Sequence, residues 1–530
     1  MCVTALLLGA GANAQHAARR EPSPVKAERA DVRQFSARVE EILSRQESSR
    51  AYWGISIADA GSGETLYELN ADHFFAPASN AKVVTTALAL ATLGPEYRFR
   101  TTLESAAAPT SDGQVAGDLI LVGRGDPDLS NRQFPYAGRT AREGAPERVL
   151  AEMADAAVAK GLREVDGDIV ADDSYFPYDP YPEGWTTGDL FFEFGAPVGA
   201  LTLDENILAI QARPGARPGE PGTIDVEPEG AMGTFDYDVT TIGPGGKSEF
   251  AVVREAGPNF MLLRANITAG HAPMTIELAM PQPAETAARE LKTLLEARGV
   301  RITGGTRVLH GAPPQTTASG EPILAATPQP PSESGRFVLA EHSSPALLES
   351  VRLTNKVSQN LHAELFLRTV GREALGLGST AAGLKVERGF LDRAGVPPGD
   401  IILTDGSGLS RDDLVTPRGM VALLHYASSQ PWGRDFASTL PVAGVDGTLE
   451  DHMKGTPAAG AISAKTGSIE HVHTLSGYAT TPRGERLAFA VYSNNGAQPG
   501  YDSAPVDAIA VAMVEMLGAP PSKSTPEKVR

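Results

Sequence analysis

Ser79 and Lys82 stand three residues apart at the head of the run Ala76-Pro77-Ala78-Ser79-Asn80-Ala81-Lys82-Val83-Val84-Thr85-Thr86-Ala87-Leu88. On a helix that spacing places both side chains on one face. A serine hydroxyl is a weak nucleophile until a base takes its proton. Burial lowers an amine's pKa, so a desolvated lysine can be that base. The positive end of the helix would favour an oxyanion beside Ser79. Ser79 could equally be a plain N-cap, and Ser-x-x-Lys is short enough to occur by chance. Context favours chemistry. Lys82 is the only charge in an otherwise apolar run that Gly94-Pro95 ends, and a buried charge is costly without a purpose.

Two further clusters could do chemistry. Ser358-Gln359-Asn360 falls between two helical stretches. There a hydroxyl can relay a proton and an amide can hold a substrate amide, although an interhelix turn with a serine cap has the same composition. Lys465-Thr466-Gly467-Ser468 ends a strand-like run. A lysine and a hydroxyl can bind a carboxylate, and a glycine lets another backbone come close; an edge-strand lysine before a turn looks the same. His471-x-His473 has metal-like spacing, but zinc needs three or four ligands and no third is near in sequence, so no metal site is expected. Asp126 and Asp128 read as turn residues.

These groups must be positioned by a chain of 530 residues, long enough for about two to four folding units. A net charge of -19 disfavours nucleic-acid binding. Cys2 is the only cysteine, so no disulfide framework exists. Residues 1–14 form a short apolar run ending in Ala12-Asn13-Ala14, which reads as an export signal cut after Ala14, although the usual positive start is missing. Residues 15–33 read as a flexible lead-in. No later run is apolar over about 18 residues, so no integral membrane segment is expected.

Apolar spacing predicts an amphipathic helix over 34–47. A hairpin follows, Tyr52–Ile57 and Thr65–Leu69 around Gly61-Ser62-Gly63, and leads into the Ser79 helix. Residues 99–176 alternate short strands with Gly and Asp turns around a helix at about 143–160. The Pro-, Gly- and aromatic-rich stretch 177–198 reads as a surface or cleft-lining loop. Strands return over 200–280, followed by a helix at 284–298 and a Pro/Ser/Thr/Gly linker at 313–335. Helices at 344–354, 359–371 and 379–395 precede three strands within 461–492 and a last helix at 503–517. The expected organisation is therefore one unit from 34–98 and 338–518, split by inserted domain II (99–176 and 281–337) and inserted domain III (177–280). A disordered tail, 519–530, ends the chain.

Ser-x-x-Lys, Ser-x-Asn and Lys-Thr-Gly in this order resemble the motif set of penicillin-recognising serine enzymes. Gly123-Arg124-Gly125-Asp126-Pro127-Asp128-Leu129, Gly195-Ala196-Pro197-Val198-Gly199-Ala200-Leu201, Asp405-Gly406-Ser407-Gly408-Leu409-Ser410-Arg411 and Leu440–Leu449 narrow the likeness. Together they resemble the D-alanyl-D-alanine carboxypeptidase/endopeptidase family, the low-molecular-mass class C penicillin-binding proteins, over about 34–518. The resemblance implies an α/β (α+β) penicillin-binding/β-lactamase-like transpeptidase domain carrying a large β-rich insertion of one or two extra domains. It implies Ser79 as acylated nucleophile, Lys82 as its base, Ser358 as proton relay to the leaving D-alanine and Asn360 as substrate orienter. Lys465 and Thr466 would bind the terminal carboxylate, and the Ser79 and Ser468 N–H groups would form an oxyanion hole beside Gly467. Asp172 would meet the amino group of a peptide side chain. The implied substrates are peptidoglycan stem peptides in the periplasm, with D,D-endopeptidase action on cross-links as a further activity. β-Lactams would be covalent inhibitors, and no cofactor is needed. Gln359, where the family often has Asp, and Glu470-His471, where Gly is commoner, depart from the pattern. A serine β-lactamase is the alternative enzyme, and a catalytically idle peptidoglycan-binding protein is the alternative of another class. The long insertion argues against the first, the intact motifs against the second.

Overall fold

The computed structural model describes residues 29–228, 231, 235–254, 261–315, 317, 323, 335–496 and 503–518. The expected export signal, most of the lead-in, most of the 313–335 linker and the 519–530 tail lie outside the described residues.

A five-stranded antiparallel sheet joins the two ends of the chain. Its strands are β1 (Tyr52–Asp59), β2 (Thr65–Leu69), β3 (Ile462–Ile469), β4 (Val472–Thr480) and β5 (Arg486–Asn494), in the order β3-β4-β5-β1-β2. β1 pairs with β5 from Tyr52↔Asn494 to Asp59↔Leu487. Alternate residues of β5 face opposite sides, as the pleat requires. Leu487, Phe489 and Val491 point to a core shared with Phe35, Val39 and Ile42 of α1 (Ala30–Leu43). Ala488, Ala490 and Tyr492 point to a second core, built around α2 (Ala81–Leu93). Residues Ala81 to Leu90 of α2 are all buried, which accounts for its apolar composition all round. Fully burying a side chain such as Phe35 or Phe489 stabilises by about 1.5–3 kcal/mol.

The helices of the C-terminal part follow the insertion. They are α3 (Leu347–Val357), α4 (Asn360–Leu375), α5 (Thr380–Arg393), α6 (Pro417–Ser429), α7 (Gly433–Thr439) and α8 (Ala504–Met516). α3 runs three residues further than the sequence spacing suggests, so only Ser358 and Gln359 separate it from α4. α6 and α7 were not anticipated. α6 starts where the Thr416 hydroxyl accepts from the Gly419 N–H at 3.0 Å, with proline in its first turn. α1 begins at Ala30, inside the expected lead-in.

Between Phe99 and Ser343 lies the insertion. Its main sheet orders Thr306–Gly311, Ile169–Pro177, Leu119–Val122, Arg100–Ser105 and Phe337–Ser343, so this last strand belongs here rather than opening the C-terminal part. Helices Arg148–Ala159 and Pro283–Ala297 pack on that sheet. Two three-stranded sheets span Ile207–Ala279. Leu208, Ile210, Leu263 and Leu278 from these sheets share one core with Leu103, Leu119, Leu121 and Leu291. Stretches 99–176 and 177–280 thus pack around a common hydrophobic cluster.

Candidate active site

Ser79 sits in a single 3₁₀ turn, Ala78–Asn80, that feeds directly into α2. The turn is pinned to β4. Asn80 Nδ2 donates to Thr474 Oγ1 at 2.7 Å, Thr474 Oγ1 donates to the Pro77 carbonyl at 2.7 Å, and the Ser476 hydroxyl donates to Asn80 Oδ1. Gly467 of β3 lies against the same turn. A Cβ there would stand 2.2 Å from Thr474 Oγ1 and 2.7 Å from the Pro77 carbonyl, so only glycine fits without displacement. Gly408 makes the opposite wall; it has φ +82°, and a Cβ would lie 1.9 Å from the Ala78 carbonyl.

Lys82, the second residue of α2 and one turn beyond Ser79, is completely buried. Its Nζ lies 2.9 Å from Ser79 Oγ, 2.6 Å from Asn360 Oδ1 and 2.6 Å from the Ser407 carbonyl. A neutral amine has two N–H groups and one lone pair. The two carbonyl oxygens accept both hydrogens, which leaves the lone pair for the Ser79 hydroxyl. Burial pulls Lys82 down to about 8, although Asp405, Glu364 and Asp413 pull it back up. At that value about a tenth of the lysine is neutral at pH 7.

The Ser407 carbonyl is aimed by its own loop. The buried Asp405 carboxylate accepts from the N–H groups of Gly408 at 2.7 Å, Ser410 at 2.9 Å and Leu409 at 3.1 Å, and from Trp185 Nε1 at 2.8 Å. Burial, and then the Asp405 charge, push Glu364 beside this loop up to about 8.

Ser358 ends α3 in the left-handed conformation, φ +65°. That geometry turns its hydroxyl toward the fully buried Lys465, whose Nζ donates to Ser358 Oγ at 2.9 Å and to the Thr466 carbonyl at 2.7 Å. Burial first, and then the charge of Lys82, hold Lys465 well below the ordinary lysine range. Two ammonium groups in one dry site repel, so this pair favours a state with at least one neutral amine. Asn360 Nδ2 donates to the Phe194 carbonyl at 2.8 Å, which ties the insertion to the cleft. Gln359 does not reach Lys82; its Oε1 accepts from the Leu361 N–H at 2.7 Å and caps α4. Thr466 Oγ1 lies 2.7 Å from Thr448 Oγ1, and Ser468 is exposed at the rim.

Ser79, Ser358, Asn360 and Ser468 border a cleft of about 390 Å³ whose outer wall includes Asp189 and Arg411. Seven of the expected residues therefore lie together around this cleft with Gly467 behind them; Asp172 does not. Its Oδ1 accepts from the Ser174 hydroxyl at 2.6 Å and N–H at 3.1 Å, and it does not line the cleft. The acidic residues that do are Glu470 and Asp189, and Asp189 lies 3.7 Å from Arg411. Asp189 belongs to the aromatic stretch 177–198, so the cleft-lining composition of that stretch was the available signal. His471 forms the β3–β4 turn with φ +65°, so His471 and His473 do not share a strand face. Asn80, Asp405 and Thr448 were also missed by sequence reading.

A half-buried serine beside a buried lysine at the start of a helix, walled by an edge strand of a five-stranded sheet, is the arrangement of a penicillin-binding protein fold. The structure is similar to that of penicillin-binding protein 4 (dacB) from Haemophilus influenzae, with a TM-score of 0.73 over 90% of this chain and 98% of that one, at 24% identity. The chain belongs to the D-Ala-D-Ala carboxypeptidase 3 (S13) family, which matches it over residues 35–517. It is 33% identical over 509 residues to the D-alanyl-D-alanine carboxypeptidase of Actinomadura sp. (strain R39), covering 94% of this chain and 88% of that protein. It is 27% identical over 445 residues to the D-alanyl-D-alanine carboxypeptidase DacB of Haemophilus influenzae, covering 83% and 85%. Among the described residues, no helix is long and apolar enough to cross a membrane.

Proposed function

We propose that the protein is a serine-type D-Ala-D-Ala carboxypeptidase that works through an acyl-enzyme on Ser79. The observation that carries this reading is the set of three contacts at Lys82: the Asn360 and Ser407 oxygens accept from its Nζ, and Ser79 Oγ lies 2.9 Å away, where the lone pair of the neutral amine would point. Lys82 takes the Ser79 proton, and Ser79 Oγ attacks the carbonyl carbon of the penultimate D-alanine. The N–H groups of Ser79 and Ser468 hold the oxyanion. Ser358, bonded to Lys465, passes a proton to the leaving amine as the amide C–N bond breaks. Lys465 and Thr466 hold the leaving carboxylate. Water then cleaves the ester and restores Ser79.

The substrates are peptidoglycan stem peptides, and cross-links within them are a second substrate. Asp189 and Arg411 offer an anion and a cation to the residue preceding the D-alanines. β-Lactams acylate the same hydroxyl. The working compartment is the periplasm, reached through the 1–14 signal.

Incubation with penicillin should add one penicilloyl group, on the peptide that contains Ser79. Labelling of a folded Ser79→Ala protein by fluorescent penicillin would refute the assignment.

A further inference from the structure

A cavity of about 420 Å³ lies in the insertion and shares no lining residue with the cleft at Ser79. Its volume is that of a small-ligand site, about 300–1,000 Å³. Part of its lining comes from both ends of the 177–198 stretch, with Tyr178 and Tyr181 from the start and Val198 from the end. The rest comes from the head of the helix Pro283–Ala297 and from the strand Thr306–Gly311.

This lining is held in place without a ligand. Pro180, Pro197, Pro281 and Pro283 fix the backbone at four points. The Val198 N–H donates to the Pro180 carbonyl at 2.8 Å, which ties the two ends of the stretch together. Asn206 Nδ2 donates to the Pro197 carbonyl at 2.8 Å. His310 Nδ1 lies 2.8 Å from Asp173 Oδ1, and the Tyr178 ring packs on the His310 ring with centroids 4.2 Å apart. Tyr178 nevertheless remains 48% exposed.

The charges of the lining are matched among themselves. Asp173 faces His310, Glu285 meets Arg289 at 3.2 Å, and Arg307 meets Asp118 at 2.5 Å. A charged ligand would have to break such pairs, whereas a neutral one would not. What the cavity offers is phenol rings with apolar faces and polar tips, beside a carboxylate that has lone pairs beyond the one His310 uses. These groups suit a neutral ring with C–H faces and a rim of hydroxyl and acetamido groups, which is an acetylated amino sugar.

The place of the cavity fits the same ligand. Phe194 lines the cleft at Ser79, and Pro197, three residues on, lines the cavity, so their Cα atoms are at most about 11 Å apart. Val198 packs in one cluster with Leu361 and Leu365, in the first turns of the helix that begins at Asn360. In a pentapeptide the three residues ahead of the two D-alanines also span about 10 Å when extended.

We propose that this cavity binds the acetylated amino-sugar strand from which the stem peptide hangs. The proposal rests on peptidoglycan being the substrate. A strand held here and a stem peptide held at Ser79 belong to one polymer, so the second contact is intramolecular and raises the apparent affinity.

Tyr178 and Gln282 are exposed lining residues outside the acylation machinery. Tyr178→Ala removes a ring face, and Gln282→Trp fills space. The test is calorimetric titration with glycan oligosaccharides freed of stem peptides. The wild type should bind them, and at least one variant should bind about tenfold or more weakly while its melting temperature and penicillin acylation stay near wild type. In that variant kcat/KM on pentapeptides still attached to glycan should also fall about tenfold, with the free pentapeptide within about twofold. The proposal is overturned if the wild type does not bind the oligosaccharide, if both variants bind it as the wild type does, or if the kinetic loss is absent or equal on the two substrates. Wild-type protein that binds the oligosaccharide but is not acylated by penicillin would instead overturn the acyl-enzyme reading, so the two failures are distinct.

Discussion

Asn360→Asp tests whether Lys82 is the base. Asn360 Oδ1 accepts from Lys82 Nζ at 2.6 Å inside the buried site. The substitution keeps the shape and places a full negative charge there. Two unit charges 4 Å apart interact by about 4 kcal/mol at an effective dielectric of about 20. The cost of burying the carboxylate cancels part of this, and opposite charges at such distances shift a pKa by about 1–3 units. The carboxylate favours the ammonium form, so Lys82 should rise from about 8 to about 9–11. The neutral fraction at pH 7 then falls from about one tenth to between about one hundredth and one ten-thousandth. Stopped-flow acylation by a fluorescent penicillin reads this directly. The wild-type rate should climb as pH rises through about 8. The variant should be about 10- to 1,000-fold slower at pH 7 and recover as pH rises through about 9–11. Asn360→Ala measures the separate, pH-independent cost of losing the bond to the Phe194 carbonyl. A variant that is equally slow at every pH, with its midpoint unmoved, would show that the titrating group is not Lys82.

Thr466→Val removes the hydroxyl beside Thr448, and a charge-assisted hydrogen bond contributes about 1.5–3 kcal/mol. The loss in kcat/KM should be about 10- to 150-fold on a free-acid pentapeptide and smaller on its C-terminal amide; equal losses would mean that Thr466 does not read the carboxylate. Gly467→Ala puts a methyl 2.2 Å from Thr474 Oγ1 and 2.7 Å from the Pro77 carbonyl. Overpacking of this kind costs about 1–3 kcal/mol, so both the melting temperature and penicillin acylation should drop, and unchanged values would refute the close packing of β3 on the Ser79 turn. The mature protein recovered from the periplasm should begin at Gln15, and N-terminal sequencing that finds Met1 in a cytoplasmic pool would overturn the export reading.

Local spacing made the reactive pair legible, since Ser79 and Lys82 lie within one helical turn and Lys82 is conspicuous in an apolar run. What sequence could not show is the third contact of Lys82, the Ser407 carbonyl, because a backbone oxygen 325 residues away leaves no side-chain signal. Asn80 was hidden for a related reason: it looks like any residue near a helix start, and its partners Thr474 and Ser476 belong to the far end of the chain. Asp172 rested on the resemblance alone, with no local spacing behind it, and its carboxylate is taken up by Ser174. The Tyr52–Ile57 and Thr65–Leu69 hairpin was read from its Gly-Ser-Gly turn, a local feature. The shared core of the insertion was not, because alternating strands look alike whether they cover one core or two. α6 carries its own local marks, Thr416-Pro417 followed by apolar Met420, Val421 and Leu424.

The pairing of Tyr52 with Asn494 has a consequence for the order of events in biosynthesis. β1 and β2 are among the first described strands to be made, and β3, β4 and β5 are the last. Until those strands exist, the outer edge of β1 has no partner and is an open template for mispairing. The insertion between them can acquire its own core meanwhile. Long-range pairing of this kind slows folding. It also delays reactivity: Ser79 and Lys82 emerge early, but Asn360 follows 278 residues after Lys82, and the Lys465 strand comes later still. A partly synthesised chain is therefore chemically silent, and the cleft comes into being only as the final hairpin docks.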